Sequence, residues 1–352
     1  MTKQIYCGKK AIGGGAPITV QSMTNVDSHD EEALLRQIGE LAAVGCDIVR
    51  IAIPDMEAAR TLGRVRRKTE MPLVADIHFD HRLAIAAIEN GADKIRINPG
   101  NIGSREKVRQ VVEAAKAHQI PIRVGVNSGS LEKDILEKNG GVTAEGLAES
   151  ALRSLALIED MDFDDLAVSL KSSDVRMNCQ AHRIVAAKTT HPIHIGITEA
   201  GTVQRGKVKS AVGIGALLME GIGDTLRVSL TADPVEEVRY GIQILEAAGL
   251  RYPKVNLISC PTCGRTKVDL QGLAEEAERR LADADIRHGL TVAIMGCAVN
   301  GPGEAREADY GIAGGQGKGV IFAKGQLLLT VPEEELIDQL MKVMEEHERI
   351  IR

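Results

Sequence analysis

Along the first two thirds of the chain, short β-branched and apolar runs alternate with segments whose apolar positions recur every three to four residues. The runs fall at 18–24, 47–53, 73–78, 94–100, 122–127, 166–171, 193–198 and 225–230. Between them lie amphipathic stretches such as DEEALLRQIGELAAVG and REKVRQVVEAAKAHQ. Eight strands, each followed by a helical pattern, predict parallel βα units. Glycines close several helices just ahead of the next strand, as in Gly45-Cys-Asp47, Gly91-Ala-Asp93 and Gly221-Ile-Gly-Asp224, the spacing an αβ turn needs. Eight units favour a closed (β/α)8 TIM barrel over an open doubly wound sheet, and no GxGxxG follows the first strand. The long interval after the fifth strand, SGSLEKDILEKNGGVTAEG, falls on the C-terminal face of such a barrel, as a lid or as a surface excursion.

After residue 250 the periodicity changes. Strands are expected at 255–259, 291–295, 319–323 and 326–331, with helices at 270–284 and from 333 to about 351. This is a second, small α+β domain. The expected division is a barrel over 1–252 and a second domain over 253–352, joined at Arg251-Tyr252-Pro253.

Side chains alternate across a strand, so parity separates the two faces. Lys94, Arg96 and Asn98 share one parity, with Ile95 and Ile97 on the other. The same split sets Arg123 and Asn127 against Ile122, Val124 and Val126, and Ser169 and Lys171 against Val168 and Leu170. It sets His194 and Thr198 against Ile193, Ile195 and Ile197, and Arg227 and Ser229 against Leu226, Val228 and Leu230. Arg50, Asp76 and His78 add to the polar set. The apolar parity must pack against the helices, so Arg50, Lys94, Arg96, Arg123, Lys171 and Arg227 point at the barrel axis. Burying so many like charges is prohibitive without anions. Asp76 and Glu199 cannot neutralise them all, which leaves a bound phosphate or diphosphate as the relief.

Composition narrows the classes. The chain of 352 residues has a net charge of −6, no Trp, 4 Tyr and 3 Phe, which argues against a nucleic-acid surface. There is no apolar leader and no run long enough to span a membrane, so the reading is a cytoplasmic chain. Six cysteines lack the density of a secreted disulfide scaffold. Cys7, Cys46 and Cys179 stand singly and read as structural.

The other three fall in Cys260-Pro-Thr-Cys263 and Gly296-Cys297-Ala-Val-Asn300-Gly-Pro-Gly-Glu304. A lone CxxC serves zinc, thioredoxin-like redox chemistry and iron–sulfur clusters alike. No second CxxC exists, and His288 lies nine residues before Cys297 without a knuckle around it. Three thiolates would leave one iron of a cubane cluster unclaimed. Glu304 is the candidate for it, a harder and more displaceable ligand than a thiolate, against the plainer reading of a carboxylate on a surface turn. The competing functional reading is a zinc-stabilised phosphate-binding barrel without redox activity. A radical S-adenosylmethionine barrel is disfavoured, because no CxxxCxxC follows the first strand.

Taken together, VRIAIPD, ADIHFD, KIRINPGN, VGVNSGS, SLKSS, ITEAG, CPTCGR and MGCAVNGPGEA resemble the 4-hydroxy-3-methylbut-2-enyl diphosphate synthase family of the non-mevalonate isoprenoid pathway. The resemblance runs from end to end, and part of the GCxxNGPGE segment is similar to the sulfite and nitrite reductase domain. It implies a [4Fe–4S] cluster on Cys260, Cys263, Cys297 and Glu304, with Asn300 beside it. It implies that 2-C-methyl-D-erythritol 2,4-cyclodiphosphate binds at the barrel mouth through Arg50, Arg96, Arg123, Asn127, Lys171 and Ser229, with Glu199 near its hydroxyls. The implied reaction is a two-electron reductive ring opening and dehydration, fed by reduced flavodoxin or ferredoxin. The short join at 250–256 resembles the bacterial two-domain form, in which a homodimer shares each active site between chains. Arg64-Val-Arg-Arg-Lys68 is either a docking patch for the electron donor or a solvated helix face, with the second favoured.

Overall fold

The computed structural model describes residues 1–284, 286, 289–297 and 307–348. The chain divides into two compact units, Met1–Arg251 and Tyr252–Arg352.

The first unit opens with an antiparallel hairpin, β1 (Ile5–Cys7) and β2 (Lys10–Ile12), that the sequence pattern did not predict. Its strands have three residues each, too few for a period to show. Ile5, Cys7 and Ile12 pack on Ile48, Val74 and Ala167, inward residues at the N-terminal ends of barrel strands, and so floor the barrel. The barrel itself is closed and parallel: β3 (Thr19–Met23), β4 (Ile48–Ala52), β5 (Leu73–Asp76), β6 (Lys94–Ile97), β7 (Ile122–Asn127), β8 (Leu166–Lys171), β9 (Ile193–Ile195) and β10 (Thr225–Leu226). The ring closes where Thr225 of β10 pairs with Thr19 of β3.

The helices between strands start on side-chain caps. Asp30, Asp55, Asp80, Ser104, Thr143 and Asp174 each accept a hydrogen bond from the first turn of the helix that follows. Gly45 and Gly91 take positive φ at αβ turns, a backbone that would strain a residue with a Cβ. Outward side chains such as Val20, Val49, Ile51, Ile95, Val124 and Leu170 join the helices in one continuous core.

Three expectations shift. The strand expected at 94–100 stops at Ile97, because Asn98 caps Gly100 and Pro99 opens the single turn Pro99–Ile102. β9 and β10 are short, but Arg227 N still donates to Ile195 O, and the chain beyond each strand stays lined up with the barrel. The long interval after β7 is anchored. Its helix Lys133–Asn139 buries Ile135, and Glu132 accepts a 2.6 Å hydrogen bond from Ser150 on the next helix, Ala144–Glu159.

The second unit is a five-stranded sheet in the order β11 (Val255–Ser259), β12 (Leu290–Met295), β13 (Tyr310–Gly314), β14 (Lys318–Ala323), β15 (Gln326–Pro332). The first three run parallel and the last two antiparallel. The helices Leu270–Asp283 and Leu336–Glu348 supply the apolar partners of Ile294, Tyr310, Ile312 and Ile321. β13 was missed in the sequence because it is glycine-rich. Gly311 faces Ala293 O and the Phe322 ring so closely that no Cβ fits, so a strand reads there as a turn.

Candidate functional site

The inward parity of the barrel strands builds a cavity of about 200 Å³ at their C-terminal ends. The register explains the neighbours: Arg50 pairs with Met23 across β3–β4, Arg96 with Asp76 across β5–β6, and Lys171 with Asn127 across β7–β8. Four cations, Arg50, Arg96, Lys171 and Arg227, reach the cavity. Asn127, Ser169, Thr198 and Ser229 add neutral hydrogen-bonding groups, and Asp76, His78 and Met23 complete it. Arg123 lies directly against this set, fully buried, with Nη1 donating to Gln21 Oε1 at 3.0 Å.

The cations are incompletely paired. Asp76 sits 3.3 Å from Arg96, 3.8 Å from Arg50 and 3.4 Å from His78 Nε2. Glu237, buried on the helix Pro234–Ala247, accepts from Arg227 Nη2 at 3.2 Å and from Leu230 N at 2.8 Å. Arg50, Arg96, Arg123, Lys171 and Arg227 make five cations, and Asp76 and Glu237 two carboxylates, so five less two leaves a surplus of three. Lys171 Nζ has neither a carboxylate nor a hydrogen-bond partner among the described residues, although the residue is only 8% exposed.

The electrostatics follow from burial and crowding. Burial pushes the Asp76 carboxyl up, but Arg50, the His78 hydrogen bond and Arg96 outweigh it and hold it well below the usual carboxylate range. Burial, then repulsion from Arg50, Arg227, Arg123 and Arg96, pushes Lys171 well below the usual lysine range. Arg50 is pushed down to about 10, chiefly by burial. A dianionic or trianionic ligand would offset the repulsion among these cations and favour their charged forms.

Two glycines make room. A Cβ at Gly125 would collide with the Arg96 guanidinium, and one at Gly196 would meet Arg227 O and crowd Lys171 Nζ. Gly125→Ala is expected to push Arg96 off Asp76 and weaken phosphate binding about tenfold or more, at a stability cost of about 1–3 kcal/mol. Pyrophosphate calorimetry and thermal unfolding of the variant check both.

The structure corrects the inward set at two positions. Lys94 lies outside the cavity, one inward step nearer the floor, fully buried, its Nζ without a partner among the described residues. Burial pushes its ammonium down to about 8. The folded chain therefore sheds this proton before the unfolded chain, whose lysines titrate near pH 10.4. Below about pH 8 the full penalty is present, and stability rises with pH between the two values. Lys94→Met is expected to stabilise the fold at pH 7 by about 3 kcal/mol, at about 1.4 kcal/mol per tenfold change in proton affinity. Urea unfolding at pH 7 and near pH 10 checks the sign, since the gain should fade at the higher value. The second correction is the counter-charge. Glu199 is exposed, with a left-handed backbone (φ 52°), and does not line the cavity, so Glu237 takes the pairing role instead. Glu237 comes from a helix, where strand parity gives no signal.

A larger cavity of about 850 Å³ opens at the N-terminal face of the barrel. Its Asp224 and Glu159 are engaged by Thr2, Ile193 N and His191, and Lys188 is the one basic side chain among its lining residues. The Arg64–Lys68 run is a paired helix face: Arg64 and Lys68 bind Glu31, Arg64 also binds Glu57, and Arg66 binds Asp93.

In the second unit, Cys260 follows β11 and Cys297 follows β12, neighbouring parallel strands with Ser259 opposite Ile294. Cys260 Sγ accepts from Gly296 N at 3.4 Å. The loop between Cys260 and Asp269 is held to that strand end by Lys267 N, which donates to Gly296 O, and is closed on itself by Thr266 N, which donates to Cys263 O. Cys263 is exposed, and the Arg265 backbone N–H lowers its thiol pKa. Two thiols thus stand just past adjacent strand ends and a third in the loop that follows the first, soft donors of the type iron–sulfur clusters use. Among the described residues no three His, Cys, Asp or Glu side chains converge on one metal ion. Asn300, Glu304 and His288 lie outside the described residues. Burial raises Cys7 to about 11 and Cys46 to about 12, and Cys179 Sγ donates to Gly213 O, as inert core thiols do.

Comparison with known proteins places these features in context. A family model described as the GcpE TIM-barrel domain matches residues 2–242, and one described as the GcpE protein C-terminal domain matches 256–346. A 4-hydroxy-3-methylbut-2-en-1-yl diphosphate synthase (flavodoxin) of Caldanaerobacter subterraneus subsp. tengcongensis is 57% identical over 345 residues, 98% of this chain and 97% of its own. Enzymes of the same name from Geobacter sulfurreducens and Thermodesulfovibrio yellowstonii are 55% and 51% identical, over 98% and 97% of this chain and 97% of each relative. Among solved structures, the dihydropteroate synthase of Yersinia pestis superposes with a TM-score of 0.52 at 11% identity, over 71% of this chain and 98% of its own, a likeness of barrel fold alone. No helix among the described residues is long and apolar enough to cross a membrane.

Proposed function

Because the chain belongs to the GcpE family, we propose that it carries out the reaction for which its relatives are named, reducing 2-C-methyl-D-erythritol 2,4-cyclodiphosphate to 4-hydroxy-3-methylbut-2-enyl diphosphate. The observation that carries this reading is the surplus of cations around the 200 Å³ cavity. A diphosphate is the ligand whose charge and size relieve it. Nothing favours the redox-inactive zinc alternative.

Arg50, Arg96, Arg123 and Lys171 grip the phosphates, with Asn127 and Ser229 as neutral partners. The same cations stabilise the charge that develops on the phosphate oxygen as its bond to carbon breaks. Asp76 keeps Arg96 and His78 in place, and Glu237 does so for Arg227. Glu199, exposed just past β9 and outside the cavity lining, is the candidate to meet the substrate hydroxyls where they extend beyond the cavity. Cys260, Cys263, Cys297 and Glu304 would hold a [4Fe–4S] cluster, with Asn300 beside it. Such a group, when bound, supplies electrons one at a time and an iron with an exchangeable ligand. Reduced flavodoxin, or a ferredoxin, delivers two electrons; the ring carbon–oxygen bond breaks with the negative charge left on the diphosphate, and the hydroxyl takes up one proton and leaves as water. The working form is a cytoplasmic homodimer with each active site shared between chains.

The test is iron and acid-labile sulfide content after oxygen-free purification, followed by conversion of the cyclic diphosphate with reduced flavodoxin. About four of each per chain and formation of the allylic diphosphate are expected. Zinc without sulfide, even after anaerobic reconstitution, would remove the reductase reading.

A further inference from the structure

Met23 closes β3 with its side chain in the anion cavity. Arg50 donates Nε and Nη2 to Met23 Sδ at 3.1 and 2.9 Å, and Arg227 Nη1 stands 3.7 Å from the same sulfur. The contact is built into the ladder, since Met23 and Arg50 are partners across β3–β4. A thioether is a weak acceptor. Yet among the described residues it is the nearest acceptor to Arg50, with the Asp76 carboxylate farther away at 3.8 Å. Two cations of the cavity therefore rest on a sulfur whose acceptor strength can change without any change in sequence.

We propose that Met23 is a peroxide-sensitive modification site whose oxidation to the sulfoxide closes the cavity to phosphate. The inference rests on the reading of the cavity as a phosphate site. A sulfur lone pair attacks one oxygen of hydrogen peroxide, the O–O bond breaks and an S–O bond forms. Sulfur is oxidised by two electrons, and the departing oxygen keeps one hydrogen, gains the other and leaves as water. The adjacent guanidiniums stabilise the hydroxide as it departs. The new S=O oxygen is a strong acceptor held beside Arg50 and Arg227, so it competes with phosphate oxygens in a cavity of about 200 Å³. Methionine sulfoxide reductases reverse the change. Met56 and Met219, 40% and 74% exposed and outside the cavity lining, are internal controls.

The experiment treats the full-length holoenzyme with graded hydrogen peroxide, maps sulfoxide by peptide mass spectrometry and measures inorganic pyrophosphate affinity by calorimetry. Affinity should fall at least tenfold in step with Met23 sulfoxide rather than with Met56 or Met219. Bound pyrophosphate should protect Met23, and the two epimer-specific reductases should restore binding. Met23→Leu, whatever its starting affinity, should show no further loss on treatment. If that variant does not fold, the protection and repair arms carry the test. The inference is overturned if Met23 stays reduced while Met219 is fully oxidised, if its oxidation leaves affinity unchanged, or if Met23→Leu loses affinity equally. Untreated enzyme that ignores pyrophosphate would instead overturn the phosphate reading itself.

Discussion

Lys171→Met should raise the melting temperature while lowering kcat/KM at least about a hundredfold, equivalent to about 3 kcal/mol. Both effects come from the same placement. Lys171 is almost fully buried, faces Arg50, Arg96, Arg123 and Arg227, and has no carboxylate of its own among the described residues. Methionine preserves most of the stem while deleting a charge the empty fold is penalised for holding. Replacing uncompensated buried charge by packed apolar surface is commonly stabilising. With substrate bound the balance reverses, because losing one partner of a desolvated ion pair costs about 2–5 kcal/mol. Pyrophosphate calorimetry should show the loss without any change in iron content. A variant that binds pyrophosphate normally would remove Lys171 from the site.

Cys260→Ala should abolish flavodoxin-driven turnover, by at least about a thousandfold or about 4 kcal/mol in the barrier, while leaving pyrophosphate affinity intact. Cys260 stands on the strand end beside Gly296 and Cys297, in a unit with its own core. Its loss removes a soft donor without disturbing the barrel's packing. Cys179→Ala is the control. That thiol is buried under a barrel helix and bonded to Gly213 O, so its removal should cost some stability and no turnover. Full iron and sulfide in the Cys260→Ala protein would take this residue out of the ligand set.

Strand parity makes the barrel interior legible in the sequence, because a polar residue alternating with isoleucine or valine has one side to go to. Arg50, Arg96, Asn127, Lys171 and Ser229 were found that way and all line the cavity. Parity carries no depth, however, and so could not separate Lys94 near the floor from Arg96 one inward step above it. Nor does it reach residues supplied by other elements. Glu237 lies on a helix that otherwise reads as a packing element. Met23, an apolar letter, carries no charge for parity to flag, although two arginines point at it. β13 is hidden because its glycines serve close packing, Gly311 against Phe322 and Gly314 against Val268, a requirement set by residues elsewhere in the chain.

The excess of positive charge in the cavity has a consequence outside catalysis. An enzyme whose empty site repels itself is held together in part by what it consumes. Ligand at a hundred times its dissociation constant adds about 2.7 kcal/mol to the folded state, and here that gain also cancels an internal repulsion. In a cell, copies starved of substrate should open more often and fall to proteases first. The abundance of this enzyme should therefore follow the supply of its substrate, and pulse-chase turnover with and without substrate checks it.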